Sequence, residues 1–430
     1  MAKERKRPLW MRLDNAAKIY PAARTNTWSN IFRLSATLSE EVDKAVLESA
    51  LTVTAKRFPS IAVRLKRGAF WYYLEELPHE ITIREDSSYP VTKMSKRETR
   101  KCAIRVLIYK NRIAVEFFHA VTDGTGGMIF LKTLLAEYLE QKYGISVPAE
   151  KGVLDRREAP LPEELEDSFG RYAGQKKAPR GGSIAWRLSG TPEENEFLDL
   201  TCFKMNVRDV LDAAHAHGVS VTVFLCAALM EALCACQREK AKSARQKRPI
   251  KVLVPVNLRN LFPSGTLRNF SFYTIPEILP SLGEYDFDEI CSAIVHKMGA
   301  EANPKFMSMN IATNVGSERL AIVRLMPLFI KNFVMKAVYN AVGERTSCMT
   351  FSNLGRIELP EPMREYVERF DFILSVQSST PFNCSAVSYC DTLFFNFIRG
   401  VKESRLEYHF HRALLSQGIV CEVESNNSCK

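Results

Sequence analysis

The chain has 430 residues, of which 46% are hydrophobic and 25% are charged, so the composition excludes a disordered protein and predicts a globular one. Its length exceeds that of one ordinary hydrophobic core, and we therefore expect two domains or subdomains. The formal net charge of +10 favours anionic partners, such as a phosphate-bearing ligand, an acidic membrane surface or nucleic acid.

Several protein classes lose support because their motifs are missing from the sequence. It carries no zinc finger, RNA-recognition signature or helix-turn-helix pattern, so we expect no nucleic acid partner. It has no Walker loop, dinucleotide fingerprint or G-x-S-x-G elbow, which argues against an NTPase, a dehydrogenase and a serine hydrolase. The 11 cysteines form no C-x-x-C pair, and we predict reduced thiols, no bound metal and a cytoplasmic location.

The first part of the chain alternates strand and helix patterns. Residues 30–38 predict a strand, and Ser39 is the expected N-cap of a helix that ends at Arg57. Two hairpins follow, and their predicted strands are residues 61–65 with 70–74, and residues 101–109 with 113–118.

The second hairpin leads into the most informative segment, residues 117–127. A strand ends at Phe118, and residues 128–141 have the apolar spacing of a helix, so His119 is placed at a strand end beside a turn. Imidazole is the side chain best matched to taking a proton at neutral pH. Asp123 could hold the local geometry by touching the ring or by anchoring the loop through a salt bridge. The alternative is a buried histidine beside a turn aspartate.

Glycines follow the aspartate at the turn into the predicted helix. Gly124, Gly126 and Gly127 permit a backbone with positive φ and leave room for a substrate to approach. Gly124 is therefore the predicted residue for access to His119.

The clearest change in composition lies at residues 151–190, which are rich in Pro, Glu, Gly, Lys and Arg. We interpret this segment as a long connection between two halves of the chain. The elements predicted beyond it are two helices that start from Phe203 and are divided at Gly218, strands at 250–256 and 270–278, helices at 288–303 and 318–342, and mostly strand from 348 to 409.

Two apolar segments raise the question of a membrane span. Residues 219–236 are short for a span, and residues 320–342 are interrupted by Arg324, Lys331 and Lys336, which would be costly in lipid. We predict buried core helices and no transmembrane segment. A peripheral membrane contact or an acceptor-access role stays open for the second segment.

Residues 119–124, His-Ala-Val-Thr-Asp-Gly, resemble the H-x-x-x-D-G signature of the coenzyme-A-dependent acyltransferase superfamily. This superfamily includes chloramphenicol acetyltransferase and the condensation domains of peptide synthetases, and the nearest likeness is to bacterial alcohol acetyltransferase-like proteins. The likeness continues in the same order through residues 12–21, 70–73, 254–259 and 351–355.

The resemblance implies a fold and a division of the chain. The expected fold class is α/β (mixed α+β), with two chloramphenicol-acetyltransferase-like subdomains, each a mixed sheet with helices, and a tunnel between them. The implied parts are an N-terminal subdomain with the signature at 1–150, a connecting segment at 151–190 and a C-terminal subdomain at 191–430. His119 would be reached from both ends of the tunnel.

The resemblance also assigns roles near the signature. His119 is implied as the general base, and relatives have a second histidine where this chain has Phe118. Asp123 is implied to be structural and to pair with an arginine of the N-terminal half, for which the candidates are Arg57 and Arg64. The remaining site candidates are Arg259 for phosphate binding or bracing of the halves, Asn269 for ordering backbone near the site, and Ser352 and Asn353 for oxyanion stabilisation or a strand-closing turn.

The function implied is O- or N-acyl transfer from acyl-CoA, as a co-substrate, to an alcohol, amine or lipid acceptor. No metal and no permanently bound cofactor are expected. The first alternative is a condensation-type enzyme that takes its acyl group from an acyl carrier protein acting in trans. The second is a catalytically inactive relative that binds a lipid or a partner protein.

Overall fold

The structure is a computed structural model that describes residues 8–24, 29–87, 89–178, 182–241, 247–338, 345–377 and 380–427. It is a mixed α/β protein with three sheets, and the predicted fold class is confirmed. The strands in chain order are β1 (Trp10–Arg12), β2 (Ile31–Leu38), β3 (Val63–Arg67), β4 (Tyr72–Glu76), β5 (Ile83–Glu85), β6 (Ile104–Tyr109), β7 (Arg112–Phe118), β8 (Asp199–Asn206), β9 (Ile250–Asn257), β10 (Ser271–Thr274), β11 (Glu277–Ile278), β12 (Met349–Ile357), β13 (Val367–Leu374), β14 (Phe382–Tyr389), β15 (Thr392–Arg399) and β16 (Cys421–Ser425). The α-helices are α1 (Ile19–Ala23), α2 (Lys44–Arg57), α3 (Lys96–Lys101), α4 (Gly124–Tyr143), α5 (Phe169–Tyr172), α6 (Val207–Ala216), α7 (Val221–Lys240), α8 (Phe287–Glu301), α9 (Pro304–Arg319), α10 (Ala321–Leu325), α11 (Leu328–Val338) and α12 (Arg405–Ser416).

The first large sheet has the strand order β13-β2-β7-β6-β5 and carries the signature. Neighbouring strands within this sheet run antiparallel, except that β5 runs parallel to β6. Helices α2 and α4 pack on each other, and α4 also contacts β2. Strand β13 comes from the second half of the chain, so the second half completes the sheet that holds the signature. The domain boundaries at 150 and 190 stay predictions.

The second large sheet has the order β10-β9-β12-β14-β15-β8-β16, with β11 also paired to β9. It is mixed, because β9, β12 and β14 are parallel neighbours and the other pairs are antiparallel. Helix α7 packs against α8 and α12, and its side chains from Val223 to Cys236 are mostly buried in this second core. By length and hydropathy it is the one described helix that could span a membrane, but most of it is inside the protein. The predicted buried core helix is confirmed there.

A buried ionic network fixes β7 just before the signature. Glu116 is completely buried on β7, and it accepts hydrogen bonds from Arg33 (3.0 Å) on β2 and Arg105 (3.1 Å) on β6. Arg33 also forms a bidentate pair with Asp86 at 2.8 Å. Buried charges are tolerated where they are paired and hydrogen-bonded in this way. The network holds three strands together three residues before His119.

Several element predictions are wrong in informative ways. Helix α2 begins at Lys44 rather than residue 40, because Asp43 is the N-cap and accepts from the backbone N–H groups of Ala45 and Val46. Phe203 lies within strand β8, and the first helix after it starts only at Val207.

The prediction of one buried helix at residues 318–342 is also wrong. Helix α9 ends at Arg319, and two shorter helices, α10 and α11, follow it. Pro327 interrupts the helical hydrogen bonding between these two helices. The outward sides of α10 and α11 are exposed, and residues 339–342 lie outside the described residues.

Residues 405–416 form helix α12, although strand was predicted up to 409. Leu406, Phe410, Ala413 and Leu414 recur at helical spacing and are buried. His409 and His411 therefore lie on one helix rather than on a strand.

Candidate active site

His119 lies immediately after β7, where its backbone N–H donates to the carbonyl of Asn30 (3.0 Å). The imidazole is packed between two aromatic rings. Tyr20 of α1 stacks on it with a centroid distance of 4.8 Å, and Phe32 of β2 meets it edge-on at 5.0 Å. The ring is therefore held in one orientation. The residue keeps part of its surface exposed.

One nitrogen of the imidazole has a specific partner from the second half of the chain. His119 Nδ1 is 3.0 Å from Asn269 Oδ1, and Asn269 Nδ2 donates to Asp14 Oδ2 at 3.2 Å. The carboxylate of Asp14 accepts a hydrogen bond, so it requires the NH2 group of Asn269 to face it and turns the amide oxygen toward His119. This assigns the proton to Nδ1, so that the lone pair of the neutral ring is on Nε2.

Asp14 is completely buried and is fixed in turn by the backbone. Its Oδ1 accepts from the N–H of Ala17 at 2.7 Å, and Arg268 Nη2 lies 3.9 Å from its Oδ2. Burial raises the pKa of Asp14 to about 7, although the Arg268 guanidinium lowers it. The ionised form, which accepts from Asn269, predominates above that pH.

Asp123 does not touch the imidazole in the structure, and it anchors the loop instead. It is the N-cap of α4, and its Oδ1 accepts from the N–H of Gly126 at 3.1 Å. Its Oδ2 accepts from Arg259 Nη1 and from the N–H of Phe270, both at 2.8 Å. Of the two readings of Asp123 from the sequence, the salt bridge that anchors the loop is the one observed.

The arginine that pairs with Asp123 is Arg259, so the candidates Arg57 and Arg64 were wrong. Arg57 forms a buried pair with Glu164, and Arg64 pairs with Glu75 on the neighbouring strand. Arg259 follows β9 in the second half of the chain, 136 residues from Asp123. No local spacing indicates such a distant pair.

The same loop makes further contacts across the two halves. Thr122 Oγ1 donates to the carbonyl of Leu267 at 2.7 Å, and Asn257 Nδ2 donates to Thr125 Oγ1 at 3.2 Å. Arg259 is itself fixed by the carbonyl groups of residues 266 and 268, at 2.9 and 2.6 Å. The signature loop is thus docked on residues 257–270, which also supply the partner of His119. Arg259 braces the halves, one of the two roles predicted for it.

The three glycines act differently from the prediction. None of Gly124, Gly126 and Gly127 has positive φ, because all three lie in the first turn of α4. Gly126 is required by close packing, since a Cβ there would lie 2.1 Å from the carbonyl oxygen of Leu267 and 2.3 Å from Thr122 Oγ1. Gly124 lies against the end of the Leu354 side chain.

We expect Gly126→Ala to destabilise the protein by about 1–3 kcal/mol or more, because the added methyl group overlaps a backbone oxygen and separates the two halves. Urea unfolding measures this. Gly299→Ala is the matched control, since Gly299 is also helical but has open space around it. The control should leave stability unchanged or raise it by up to about 1 kcal/mol. Equal effects of the two variants would contradict the docking role of Gly126.

Ser352 and Asn353 lie in β12 beside the start of α4. The amide of Asn353 is used structurally, because Nδ2 donates to Thr222 Oγ1 (3.1 Å) and Oδ1 accepts from the N–H of Gly355 (2.8 Å). Gly355 has a φ of +74° at a break in the strand register, which favours glycine. Asn353 therefore shapes a bulge within β12, which continues to Ile357, and the predicted strand-closing turn is wrong. An oxyanion role stays a prediction for Ser352, whose hydroxyl has no hydrogen-bond partner in the described part of the chain.

Known structures resemble this one over nearly the whole chain. TRI101 from Fusarium sporotrichioides, complexed with coenzyme A and T-2, matches with a TM-score of 0.63 at 12% identity, over 97% of this chain and 100% of its own. Polyketide synthase associated protein 5 from Mycobacterium tuberculosis matches with a TM-score of 0.61 at 15% identity, over 94% and 97%. The first condensation domain of the CDA synthetase matches with 0.60 at 13% identity, over 94% and 96%.

The chain shares the fold of these three proteins, as the resemblance in its sequence predicts. No protein-family model and no curated protein sequence matches it. The similarity therefore lies in the arrangement of strands and helices, and within that fold the roles of the site residues depend on the contacts described above.

Several residues around His119 could not be predicted from the sequence. Asp14 and Tyr20 belong to a segment that carries the resemblance, but no role followed from it. Phe32 and Thr122 were read only as parts of a strand and a turn. A buried acid and an aromatic side chain so far upstream carry no local pattern that connects them with His119, and the fold alone brings them together.

Two other histidines of the described chain have partners of their own and lie away from the signature loop. His217 contacts Asp288 (2.6 Å) and Gln417, and His409 contacts Glu239 (2.8 Å), in pairs on helices of the second half. Among the described residues, no group of three or more His, Cys, Asp or Glu side chains could hold a metal ion.

The pKa of His119 is lowered, because burial disfavours the charged ring more than its hydrogen bonds and Asp123 favour it. We therefore expect the ring to be neutral at pH 7 and to take up a proton only below its usual pKa of about 6.5. NMR titration of the histidine ring signals measures this, with a His119→Gln spectrum for assignment. His217 is an internal control, since despite some burial its hydrogen bonds with Asp288 and Gln417 raise its pKa. A higher pKa for His119 than for His217 would contradict this prediction.

Proposed function

We propose that the protein is an acyltransferase in which His119 is the general base. The observation that carries this proposal is the contact between His119 Nδ1 and Asn269 Oδ1, from which we assign the proton to Nδ1 and the lone pair to Nε2. Nε2 removes the proton of an acceptor hydroxyl or amine as the acceptor attacks the carbonyl carbon of a thioester. The imidazolium then returns that proton to the departing thiolate sulfur. The acceptor is acylated, and a free thiol is released.

The surroundings of His119 support each part of this reaction. Asn269 and the stacked Tyr20 hold the ring, so its orientation does not have to be recovered at each turnover. Asp123 takes no proton, and it keeps the loop docked through Arg259. The hydroxyl of Ser352 is the proposed donor to the oxyanion of the tetrahedral intermediate. We infer that the reactants reach His119 through a passage between the two halves.

The proposed donor is acyl-CoA. The net charge of +10 would attract its phosphates, and TRI101 binds coenzyme A on a similar fold. The experiment is a free-thiol release assay with acyl-CoA substrates of increasing chain length and a panel of alcohols, amines and lipid alcohols. We expect thiol release that depends on the acceptor. No release with any pair of substrates, together with tight binding of a lipid, would instead support the inactive, ligand-binding alternative.

A carrier-protein donor is the second candidate, because a condensation domain of a peptide synthetase has a similar fold. Its phosphopantetheine arm ends in the same thioester, so the chemistry at His119 would be unchanged. The same acyl group offered on coenzyme A and on a carrier protein separates the two donors. A kcat/KM at least tenfold higher for the carrier-bound group would select the condensation-type function.

A further inference from the structure

Helices α10 and α11 present large apolar side chains to solvent. Ile322 and Leu325 are each 72% exposed, Phe329 is 65% exposed and Phe333 is 77% exposed. We call these four residues the apolar face. Scattered exposed apolar side chains are ordinary, but neighbouring large ones on consecutive short helices indicate an interaction site.

The opposite side of α11 packs against the rest of the protein. Leu328 and Lys331 are buried, and Lys331 Nζ donates to the carbonyl of Phe70 at 2.8 Å and lies 3.5 Å from the centre of the Trp71 ring. Asn332 donates to the hydroxyl of Tyr72 at 3.1 Å. The helix therefore has a fixed inner side against the N-terminal part of the chain, and the apolar face is not a core surface that rotation of α11 would bury.

The charged side chains from residue 319 to the end of α11 are all basic. Residues 319–338 contain four basic residues, Arg319, Arg324, Lys331 and Lys336, and no Asp or Glu. Except for the buried Lys331, these basic side chains are exposed. An apolar helix surface with basic side chains beside it is typical of helices that lie on anionic membranes.

Aromatic side chains continue the surface next to α10. A cavity of about 1030 Å³ is lined by Arg324 and Leu325 together with Trp10, Phe70 and Trp71. Trp10 and Phe70 are both exposed. Tryptophan in particular favours the headgroup region of a bilayer, where an amphipathic ring meets both apolar and polar surroundings.

We propose that the apolar face docks on the surface of an anionic lipid bilayer. Its four side chains would enter the boundary between headgroups and acyl chains, and Arg319, Arg324 and Lys336 would pair with lipid phosphates. A second copy of the chain suits the surface less well, because a symmetric contact would bring two like-charged segments together. This docking site is independent of the acyltransferase proposal.

Vesicle co-sedimentation of the full chain tests the proposal. We expect binding to phosphatidylcholine vesicles that contain phosphatidylglycerol, and at least tenfold weaker binding to phosphatidylcholine alone. A combined variant with Ile322→Ser, Leu325→Ser, Phe329→Ser and Phe333→Ser should lower the affinity for anionic vesicles at least tenfold. The matched control is Leu282→Ser with Val420→Ser, since these side chains are 76% and 74% exposed at other places. It should bind as the wild type does.

Three outcomes would overturn the proposal. The wild type could fail to bind anionic vesicles, or the apolar-face variant could bind as tightly as the control. The third outcome is a wild-type dimer in light scattering that the variant dissociates, without vesicle binding by either, and this would assign the face to a second copy. Circular dichroism confirms that each variant is folded, which is expected because every substituted side chain is exposed.

Discussion

Replacing His119 with alanine will lower kcat/KM for acyl transfer by about 10²–10⁴-fold, which is the usual contribution of a general base. The loss has a direct cause, because the other titratable side chain hydrogen-bonded to Asn269, that of Asp14, is completely buried. The fold should survive. The variant leaves Asn269 Oδ1 without its donor, and we expect the free energy of unfolding to fall by only about 1–3 kcal/mol.

Two further variants separate catalysis from positioning. His119→Gln offers an amide that can donate to Asn269 but cannot accept and return a proton at neutral pH, so it should be as inactive as the alanine variant. His215→Ala is the control, since His215 is an exposed histidine on α6, and it should keep full activity. If the glutamine variant were active, His119 would be a positioning residue rather than the base.

Replacing Asp123 with alanine will destabilise the protein by about 3–5 kcal/mol and lower activity at least 100-fold. The carboxylate accepts three hydrogen bonds in a buried place, and its removal leaves the Arg259 guanidinium without its ionic partner. The N-cap of α4 is lost as well, a change that usually costs about 1 kcal/mol. Urea unfolding and thiol release measure the two effects. Glu75→Ala removes a partly exposed ion pair with Arg64 and should cost at most about 1 kcal/mol.

A double-mutant cycle tests the pairing itself. Asp123→Ala and Arg259→Ala should be strongly non-additive in the free energy of unfolding, because both remove the same contact. Asp123→Ala and Arg57→Ala should be additive, since Arg57 is paired with Glu164. Additivity with Arg259 and coupling with Arg57 would restore the pairing that the resemblance implied.

The contrast between these two arginines shows what could be predicted from the sequence. The position of His119 between a strand and a helix is a local property, and residues 112–143 carry its periodicity directly. The partners of the site come from two distant segments, since Asp14 lies near the start of the chain and both Arg259 and Asn269 lie in residues 257–270. Their proximity depends on how the second half docks on the first. No local pattern in the sequence indicates that these residues lie close together.

The wrong element predictions have equally physical reasons. At residues 318–342 the apolar content predicted burial, but Pro327 divides the helix and the tertiary fold leaves its outer side in solvent. At residues 405–416 the buried Leu406, Phe410 and Ala413 follow the period of a helix, whereas strand was predicted as far as residue 409. In both places only the three-dimensional packing showed which side of the segment is covered.

Direct attack on the thioester, with His119 as the base, is tested most directly by a single-turnover experiment. Stoichiometric acyl-CoA is mixed with the wild type and with His119→Ala, with and without an acceptor, and free thiol and intact protein mass are followed together. We predict that the wild type releases thiol only when the acceptor is present, that the protein mass never changes, and that the variant is at least 100-fold slower. One equivalent of thiol released without acceptor, together with an acylated protein, would contradict this mechanism.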